Sequence, residues 1–327
     1  MPAHIAVIIC TWNRAAVLAE TLASLAVVRR PAGTEVDVLV VDNNSKDGTQ
    51  ALIQSQSAEW PLGRLHGLFD GRQGKQFALN TGIAEARRLG CDVLAFTDDD
   101  VFFPAEWLEE IVRAMRGNPV KPTLAGGRTL VTWPGGKPPP WYHRSMAAIV
   151  AEVDIGEQPL CPPPSDYSPA GTNLIARIDL FDRIGGFSEK HFRHMDYEFG
   201  QRALARAEVV AYVPAVTVVA PVDPAILTQR YFRRWSLKAG ISPWTELQPG
   251  LRHVAWVPLW LYRRALQDAL AWLTAPLRGD SQAERFAREL RLWRAWGTMT
   301  SRWISRLRPA AYPAWVEGRS QKKKNVY

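Results

Sequence analysis

The stretch His4-Ile-Ala-Val-Ile-Ile-Cys10 is a nearly unbroken β-forming run, and just after it Val17, Leu18, Thr21, Leu22 and Leu25 recur at helical spacing within residues 15–25. A strand that feeds a helix is the first half of a repeat. Glu35-Val-Asp-Val-Leu-Val-Val41 supplies a second strand, and Asn44 or Ser45 can cap the next helix, which begins over Gly48 to Ser57. A third helix runs from Gln76 to Leu89 and stops at Gly90, Asp92-Val-Leu-Ala-Phe-Thr97 is the next strand, and residues 105–115 read as helix. Strands alternating with helices pair in parallel, because a tight turn cannot return the chain to a parallel neighbour. The expected fold class is a doubly wound α/β sheet at least as far as Met115.

In such a sheet, ligands sit beyond the carboxyl ends of the strands. Those ends read Thr11-Trp-Asn13-Arg14, Asp42-Asn43-Asn44-Ser45-Lys-Asp47-Gly48 and Asp98-Asp99-Asp100, all polar and two of them acidic. Three adjacent carboxylates resist joint ionisation unless a cation or hydrogen-bond donors offset them. Residues two apart in an extended segment share a side, so Asp98 and Asp100 are expected to face one hard divalent ion while Asp99 points elsewhere. A solvated acidic turn capping the helix over residues 105–115 is the competing reading of the triplet taken alone.

Composition bounds the partners. The chain has 327 residues, 47% of them apolar, which supports one large α/β core or one core with an appendage. Its net charge of +8 points to an anionic partner without choosing between nucleic acid, an acidic lipid surface and a phosphorylated substrate. Cys10, Cys91 and Cys161 lack zinc or redox spacing and read as buried thiols in a reducing compartment. The run Ile5 to Cys10 has no basic region before it and no small-residue cleavage site after it, so it reads as a strand and not a signal peptide.

Between the motifs, Trp133-Pro-Gly-Gly-Lys-Pro-Pro-Pro-Trp141-Tyr-His143 and Leu160-Cys-Pro-Pro-Pro-Ser-Asp-Tyr167 are too rich in proline for regular structure. Their aromatics, Trp141 foremost, either stack on a bound ligand or anchor the loops. From Gln229 onward arginine and tryptophan dominate, with Trp244, Trp256, Trp260, Trp272, Trp293, Trp296 and Trp303 set among basic residues. Phe286, Leu290, Trp293, Gly297, Thr300, Ile304 and Leu307 form a helical stripe with Arg288, Arg291, Arg294 and Arg302 off it. The apolar run Val254 to Tyr262 is broken by Pro258 and ended by Arg263-Arg264, short of the roughly twenty residues a spanning helix needs. Residues 241–315 are read as a helical extension, either lying on an anionic membrane surface or packed on the α/β domain or a dimer partner. The basic tail 316–327 is expected to be disordered.

Ile8-Ile-Cys-Thr-Trp-Asn-Arg14, Val40-Val-Asp-Asn-Asn-Ser-Lys-Asp-Gly-Thr49, Gly74-Lys-Gln-Phe-Ala-Leu-Asn80-Thr-Gly82 and Thr97-Asp-Asp-Asp-Val101 together resemble the family 2 glycosyltransferases of GT-A fold. Ala170-Gly-Thr-Asn173, Ile184-Gly-Gly-Phe187 and His194-Met-Asp196-Tyr-Glu198-Phe-Gly-Gln-Arg202 continue the likeness in order, so that it spans about residues 4 to 240. The resemblance implies a GT-A (Rossmann-like) domain over residues 1–240 that takes a UDP-, dTDP- or GDP-sugar with Mn2+ or Mg2+. The acceptor is then a hydroxyl of a saccharide or lipid-linked glycan, met at the cytoplasmic, inner face of the cell membrane. The same likeness places Thr11, Asn13 and Arg14 in the nucleotide pocket, with Asp42 and Asn43 near base and ribose. Lys75 would meet the pyrophosphate, unless it is a solvated helix-start lysine, and Asn80 would buttress the site. Asp98 and Asp100 take the metal, Asp99 faces the ribose, and Gly171, Asn173 and Trp141 stand on the acceptor side, with Trp141 either stacking on the acceptor sugar or anchoring its loop.

The family's proton acceptor is the aspartate of an acidic dipeptide, matched here by Met195-Asp196. Asp196 is therefore the expected base, with Glu198 the second candidate; both also suit a helix's first turn. With one base and no nucleophile opposite it, direct displacement with inversion is expected. Two other departures stand out. Asn43 occupies a position where a second acid is common, which leaves the donor's base open, and Ala220 stands where relatives often carry histidine. The competing functions are a sugar nucleotidyltransferase, which needs a glycine-rich turn that Cys10-Thr-Trp-Asn-Arg14 lacks, and a nucleic-acid or anionic-surface binder. A dehydrogenase fails on the same missing turn. Acidic strand ends repel nucleic-acid phosphate, so no nucleic-acid partner is expected.

Overall fold

The computed structural model describes residues 3–117, 119–165, 167–191, 194–241 and 251–321. Two compact units emerge, Met1–Thr132 with Ala151–Pro221, and Trp133–Val150 with Val222–Tyr327. The change of unit thus falls at Pro221/Val222, ahead of the expected residue 240, and residues 133–150 go with the second unit.

In the first unit the elements are β1 (Ala3–Thr11), α1 (Ala15–Ala26), β2 (Thr34–Asp42), α2 (Thr49–Ala58), β3 (Arg64–Phe69), α3 (Lys75–Arg88), β4 (Val93–Asp98), α4 (Trp107–Val112), β5 (Leu124–Thr132), β6 (Asn173–Arg177), α5 (Leu180–Ile184), α6 (Met195–Ala205) and β7 (Val210–Pro221). They form a seven-stranded sheet in the order β3-β2-β1-β4-β6-β5-β7. Parallel pairing holds across β3, β2, β1 and β4. It fails at β6, which runs antiparallel to β4 and β5, while β5 and β7 are parallel. Between residues 151 and 172 the described residues contain no helix to carry the chain back along the sheet face, so β6 enters reversed.

Alternate side chains of β1 enter two cores, as a strand covered on both faces requires. Ile5, Val7 and Ile9 pack with Leu18, Leu22 and Leu25 of α1 and with Trp107, Leu108 and Ile111 of α4. Ala6, Ile8 and Cys10 pack with Ala78, Leu79 and Ile83 of α3 and Phe199 of α6. Gly82 permits the close approach of α3, since a Cβ there would come within 2.6 Å of Ile8 Cγ2. Cys10 and Cys91 are buried as expected, whereas Cys161, expected to be buried, is exposed in the proline-rich loop.

In the second unit the elements are α7 (Gln229–Gly240), a short hairpin of β8 (His253–Val254) and β9 (Val257–Pro258), α8 (Leu259–Leu273), α9 (Ala275–Arg278), α10 (Gln282–Leu307) and α11 (Tyr312–Gln321). Ser281 and Glu284 form a capping box that starts α10. Helices α7 and α10 cross backbone to backbone: a Cβ on Gly240 would lie 2.1 Å from the Arg294 oxygen, and one on Gly297 2.1 Å from the Leu237 oxygen. The buried residues of α10 depart from the expected stripe, with Arg302 inside and Trp293 exposed, because two neighbours, α7 and α8, contact the helix on different sides. Residues 312–321 are helical, so the expected disorder is not found there; residues 322–327 and Trp244 lie outside the described residues. No helix among the described residues is long and apolar enough to cross a membrane.

Candidate active site

The register pairs Thr11 with Asp42 and Cys10 with Asp98, so the carboxyl ends of β1, β2 and β4 open onto one edge of the sheet. The acidic triplet lies there. Strand β4 stops at Asp98 and residues 99–100 form a turn, so the alternation that would aim Asp98 and Asp100 at one point does not extend past the strand. Instead Asp98 accepts from Lys75 Nζ and, at 2.9 Å, from Thr172 Oγ1. Asp99 is buried and accepts from Thr11 Oγ1 at 2.7 Å and from Arg14 Nη1 at 2.6 Å, and Arg14 Nη2 reaches Asp100 at 2.9 Å. In this conformation Asp99 and Asp100 share a partner, and Asp98 faces another.

Electrostatics follows from those contacts. Burial pushes the Asp99 carboxyl up to about 6, against the pull of Arg14. Burial works the same way on Asp98, but Lys75 beside it wins and holds the carboxyl below its ordinary value. Lys75 is correspondingly held above its own value by Asp98, despite burial. Asp98 and Asp100 offer hard oxygen donors; Asp100 is 44% exposed, and its Oδ1 takes no hydrogen bond among the described residues. The donor set therefore suits a hard divalent cation such as Mg2+ or Mn2+. Among the described residues, one group of three or more His, Cys, Asp or Glu has ligand atoms within 4.8 Å of one another: His4, Asp37 and Cys91, at the opposite end of the sheet.

The loop residues expected to touch the nucleotide are mostly engaged with backbone. Asn13, at φ 52°, accepts from Lys46 N at 2.5 Å, while its own N–H donates to Ser45 Oγ at 2.8 Å, tying the first two strand-end loops together. Asp42 accepts from Ser45 N and Gln50 Nε2, both at 2.9 Å. Asn43 donates to the Asp70 and Arg72 carbonyls at 3.3 and 2.6 Å and accepts from Gly74 N at 2.8 Å. It is buried and spent on holding the 70–74 loop, and a carboxylate could not make those two donations. That loop was not foreseen, because His66 and Gly67 interrupt the apolar pattern of β3. Its anchor is Asp70, which accepts from Arg72 at 2.8 Å and Thr81 Oγ1 at 2.7 Å. The signal available was an acid directly following a strand.

Lys75 opens α3, which aims its ammonium at the triplet. Asn80, one turn on, donates to the Phe187 oxygen and accepts from the Phe187 N–H, each at 2.9 Å, and so clamps the Gly185-Gly186-Phe187 turn. Asp196 sits in the first turn of α6 and accepts from Gly171 N at 2.8 Å and Tyr197 N at 2.9 Å. Gly171 lies between the two charges: a Cβ there would be 3.5 Å from Asp196 Oδ2 and 3.8 Å from Lys75 Nζ. Glu198 is buried and bonded by both Nε and Nη2 of Arg202 at 2.8 Å, while the same guanidinium donates to the Ile184 and Gly186 carbonyls. Thr172, which sequence reasoning passed over, supplies the second donor to Asp98.

Two residues expected on the acceptor side are otherwise occupied. Asn173 is buried and donates to the Arg128 and Val216 carbonyls at 3.0 and 2.8 Å, where the β5–β7 register shifts. Trp141, in the second unit, meets Phe232 and Phe286 edge-on with centroids 4.9 and 5.5 Å away, so it anchors its loop.

Comparison with known proteins fits this geometry. Residues 6–133 match the model of Glycosyl transferase family 2. Glycosyltransferase AglE of Haloferax volcanii is 27% identical over 279 residues, 85% of this chain and 86% of that protein. Succinoglycan biosynthesis protein ExoM of Rhizobium meliloti is 31% identical over 113 residues, 35% of each. Among solved structures, the mannosyltransferase PcManGT of Pyrobaculum calidifontis, in complex with GDP-Man and Mn2+, superposes with a TM-score of 0.50 at 17% identity, covering 100% of this chain and 82% of that one. That likeness speaks for the fold. A sheet of GT-A type with acids at its aligned strand ends agrees with these matches, and residues 6–133 carry the likeness to Glycosyl transferase family 2.

Proposed function

We propose that the chain transfers a sugar, with inversion, from a UDP-, dTDP- or GDP-sugar to a hydroxyl of a saccharide or lipid-linked glycan, at the cytoplasmic face of a membrane. The observation that carries this reading is the convergence beside Gly171 of the Lys75 ammonium, itself paired with Asp98, and the Asp196 carboxylate. A cation and a carboxylate brought this close together suit a reaction in which a diphosphate leaves and a hydroxyl loses a proton.

Thr11 and Arg14 hold Asp99 from beneath, fixing the turn on which Asp100 stands. Asp98 and Asp100 would hold Mg2+ or Mn2+, which when bound supplies a Lewis acid to the leaving diphosphate. Lys75 adds a second positive charge for the phosphate oxygens once it leaves Asp98. Asp196, its carboxylate oriented by two backbone N–H groups, accepts the acceptor hydroxyl's proton. Glu198 fits the part of a structural partner of Arg202 better than that of a base, because both its oxygens are taken. The Mn2+ and GDP-Man in PcManGT support a metal and a nucleotide sugar here.

The reading is tested by thermal denaturation in the presence of UDP, dTDP or GDP, with and without Mn2+. One nucleotide should raise the melting temperature in a metal-dependent way, and Asp100→Asn should abolish most of that rise. Undiminished metal-dependent stabilisation of the variant would remove Asp100 from the metal site.

A further inference from the structure

Of the sixteen large apolar side chains left exposed among the described residues, eleven lie between Leu251 and Leu307 of the second unit. On α8 they make a face. Leu266, Leu270 and Leu273 stand at i, i+4 and i+7 and are 62%, 54% and 63% exposed, and Leu277 follows in α9 at 89%. The other side of α8 is the one that packs: Leu261 lies in a cluster with Ala295 and Met299 of α10, and Asp268 accepts from Arg291 at 2.6 Å. The leucine stripe therefore points away from the helix that α8 is built on. Trp256 and Trp260 are exposed at its amino end.

Charge identifies the surface that covers it. Residues 251–321 hold twelve arginines and no lysine against five acids, a net +7 in a chain whose total is +8. Four of those acids are already engaged: Asp268 with Arg264 and Arg291, Asp280 with Arg278 and Arg288, Glu289 with Arg233, and Glu284 in its capping box. Arg252, Arg263 and Arg294 are exposed. A second copy of the chain meeting this face would set +7 against +7. A single-stranded nucleic acid would match the charge but leave four leucines without a purpose. An anionic bilayer surface matches both, with arginine at the phosphates, indole at the boundary and leucine below it.

We propose that Leu266, Leu270, Leu273 and Leu277 form the inserting face of an interfacial anchor that binds anionic lipid head groups. This deepens the proposed function, and rests on it in one respect: a lipid-linked acceptor is met where the enzyme is held. The attachment itself follows from the face and the charge.

Flotation of the full chain with phosphatidylglycerol-containing vesicles, and with phosphatidylcholine alone, tests it against the variant Leu266→Ser/Leu270→Ser/Leu273→Ser. The wild type should float with the anionic vesicles, less so at high salt, and the variant's partitioning should fall by about a hundredfold or more. Because these leucines are exposed, the variant's thermal unfolding and its stabilisation by nucleoside diphosphate with Mn2+ should stay unchanged, which a merely structural role would not allow. If the variant floats as well as the wild type, this face is wrong although attachment stands. If the wild type stays unbound, the anchor is overturned; velocity sedimentation showing a dimer that the variant dissolves would then assign the face to a second copy. Failure of the proposed transfer reaction would show separately, as no nucleoside diphosphate released from any nucleotide sugar by a chain that still floats.

Discussion

Asp196→Asn and Glu198→Gln form a pair whose effects separate chemistry from architecture. Asp196 uses one oxygen for Gly171 N at 2.8 Å and the other for Tyr197 N at 2.9 Å. Asparagine keeps one acceptor, so one half-exposed N–H loses its partner, a cost of about 1 kcal/mol. Proton acceptance is lost altogether, which in general-base catalysis slows turnover by about 10²- to 10⁴-fold, or about 3–5 kcal/mol of barrier. Glu198→Gln has the opposite profile. It leaves the Arg202 guanidinium with two carbonyls and half of its carboxylate pairing, in a largely buried setting, for about 2 kcal/mol of stability. Its transfer rate at a temperature where it is folded should lie within about threefold of wild type. The assay is nucleoside diphosphate release from the stabilising donor, read beside urea unfolding. Near-normal turnover in Asp196→Asn together with a dead but stable Glu198→Gln would refute the assignment.

Two further substitutions probe the frame around the site. Asn43→Asp introduces the acid that the family resemblance implies at that position, yet it turns a carboxylate on the Asp70 and Arg72 carbonyls; it should destabilise the chain by about 2–3 kcal/mol in urea unfolding, and a neutral or stabilising outcome would free Asn43 for the nucleotide. Asp37 is fully buried, and although burial works against its charge, Arg64, His66 and His4 hold its carboxyl below the ordinary 3.8. A depressed folded-state value contributes stability that is present above pH 3.8 and lost as pH falls through the folded value. Asp37→Asn should therefore differ from wild type most at neutral pH, with the gap closing in more acidic solution. A gap independent of pH would contradict the depressed value.

The features legible in the sequence were those that two-sided burial writes into it. β1, β2 and β4 are covered on both faces and so appear as continuous apolar runs, and their polar last residues mark the ligand edge. β3 hides because His66 and Gly67 break its run, although His66 is there to serve Asp37 and a Cβ on Gly67 would lie 2.7 Å from Ile53 Cγ2. The reversal at β6 has no local signature either. It depends on where the preceding loop re-enters the sheet, a property of residues 133–172 as a whole. The same limit applies to the triplet: period-two logic holds while the chain is extended, and it is extended only to Asp98.

The motif asparagines and the motif acids divide the work in a way the residue types themselves impose. Asn13, Asn43, Asn80 and Asn173 each bond to backbone, and three of them donate to carbonyls: Asn43 in a strand-end loop, Asn80 at the Gly-Gly-Phe turn and Asn173 at the sheet irregularity. An amide side chain offers separate donor and acceptor atoms over that short reach, so irregular backbone with both N–H and C=O to satisfy favours asparagine. A carboxylate can only accept. It therefore gathers where donors or cations are supplied, as Lys75, Arg14 and Thr172 supply them to the triplet. Reading every polar residue after a strand as a ligand contact merges these two classes. Sorting them by whether the side chain both donates and accepts assigns the asparagines to the frame and leaves the charged Lys75, Asp98, Asp100 and Asp196 for the proposed chemistry.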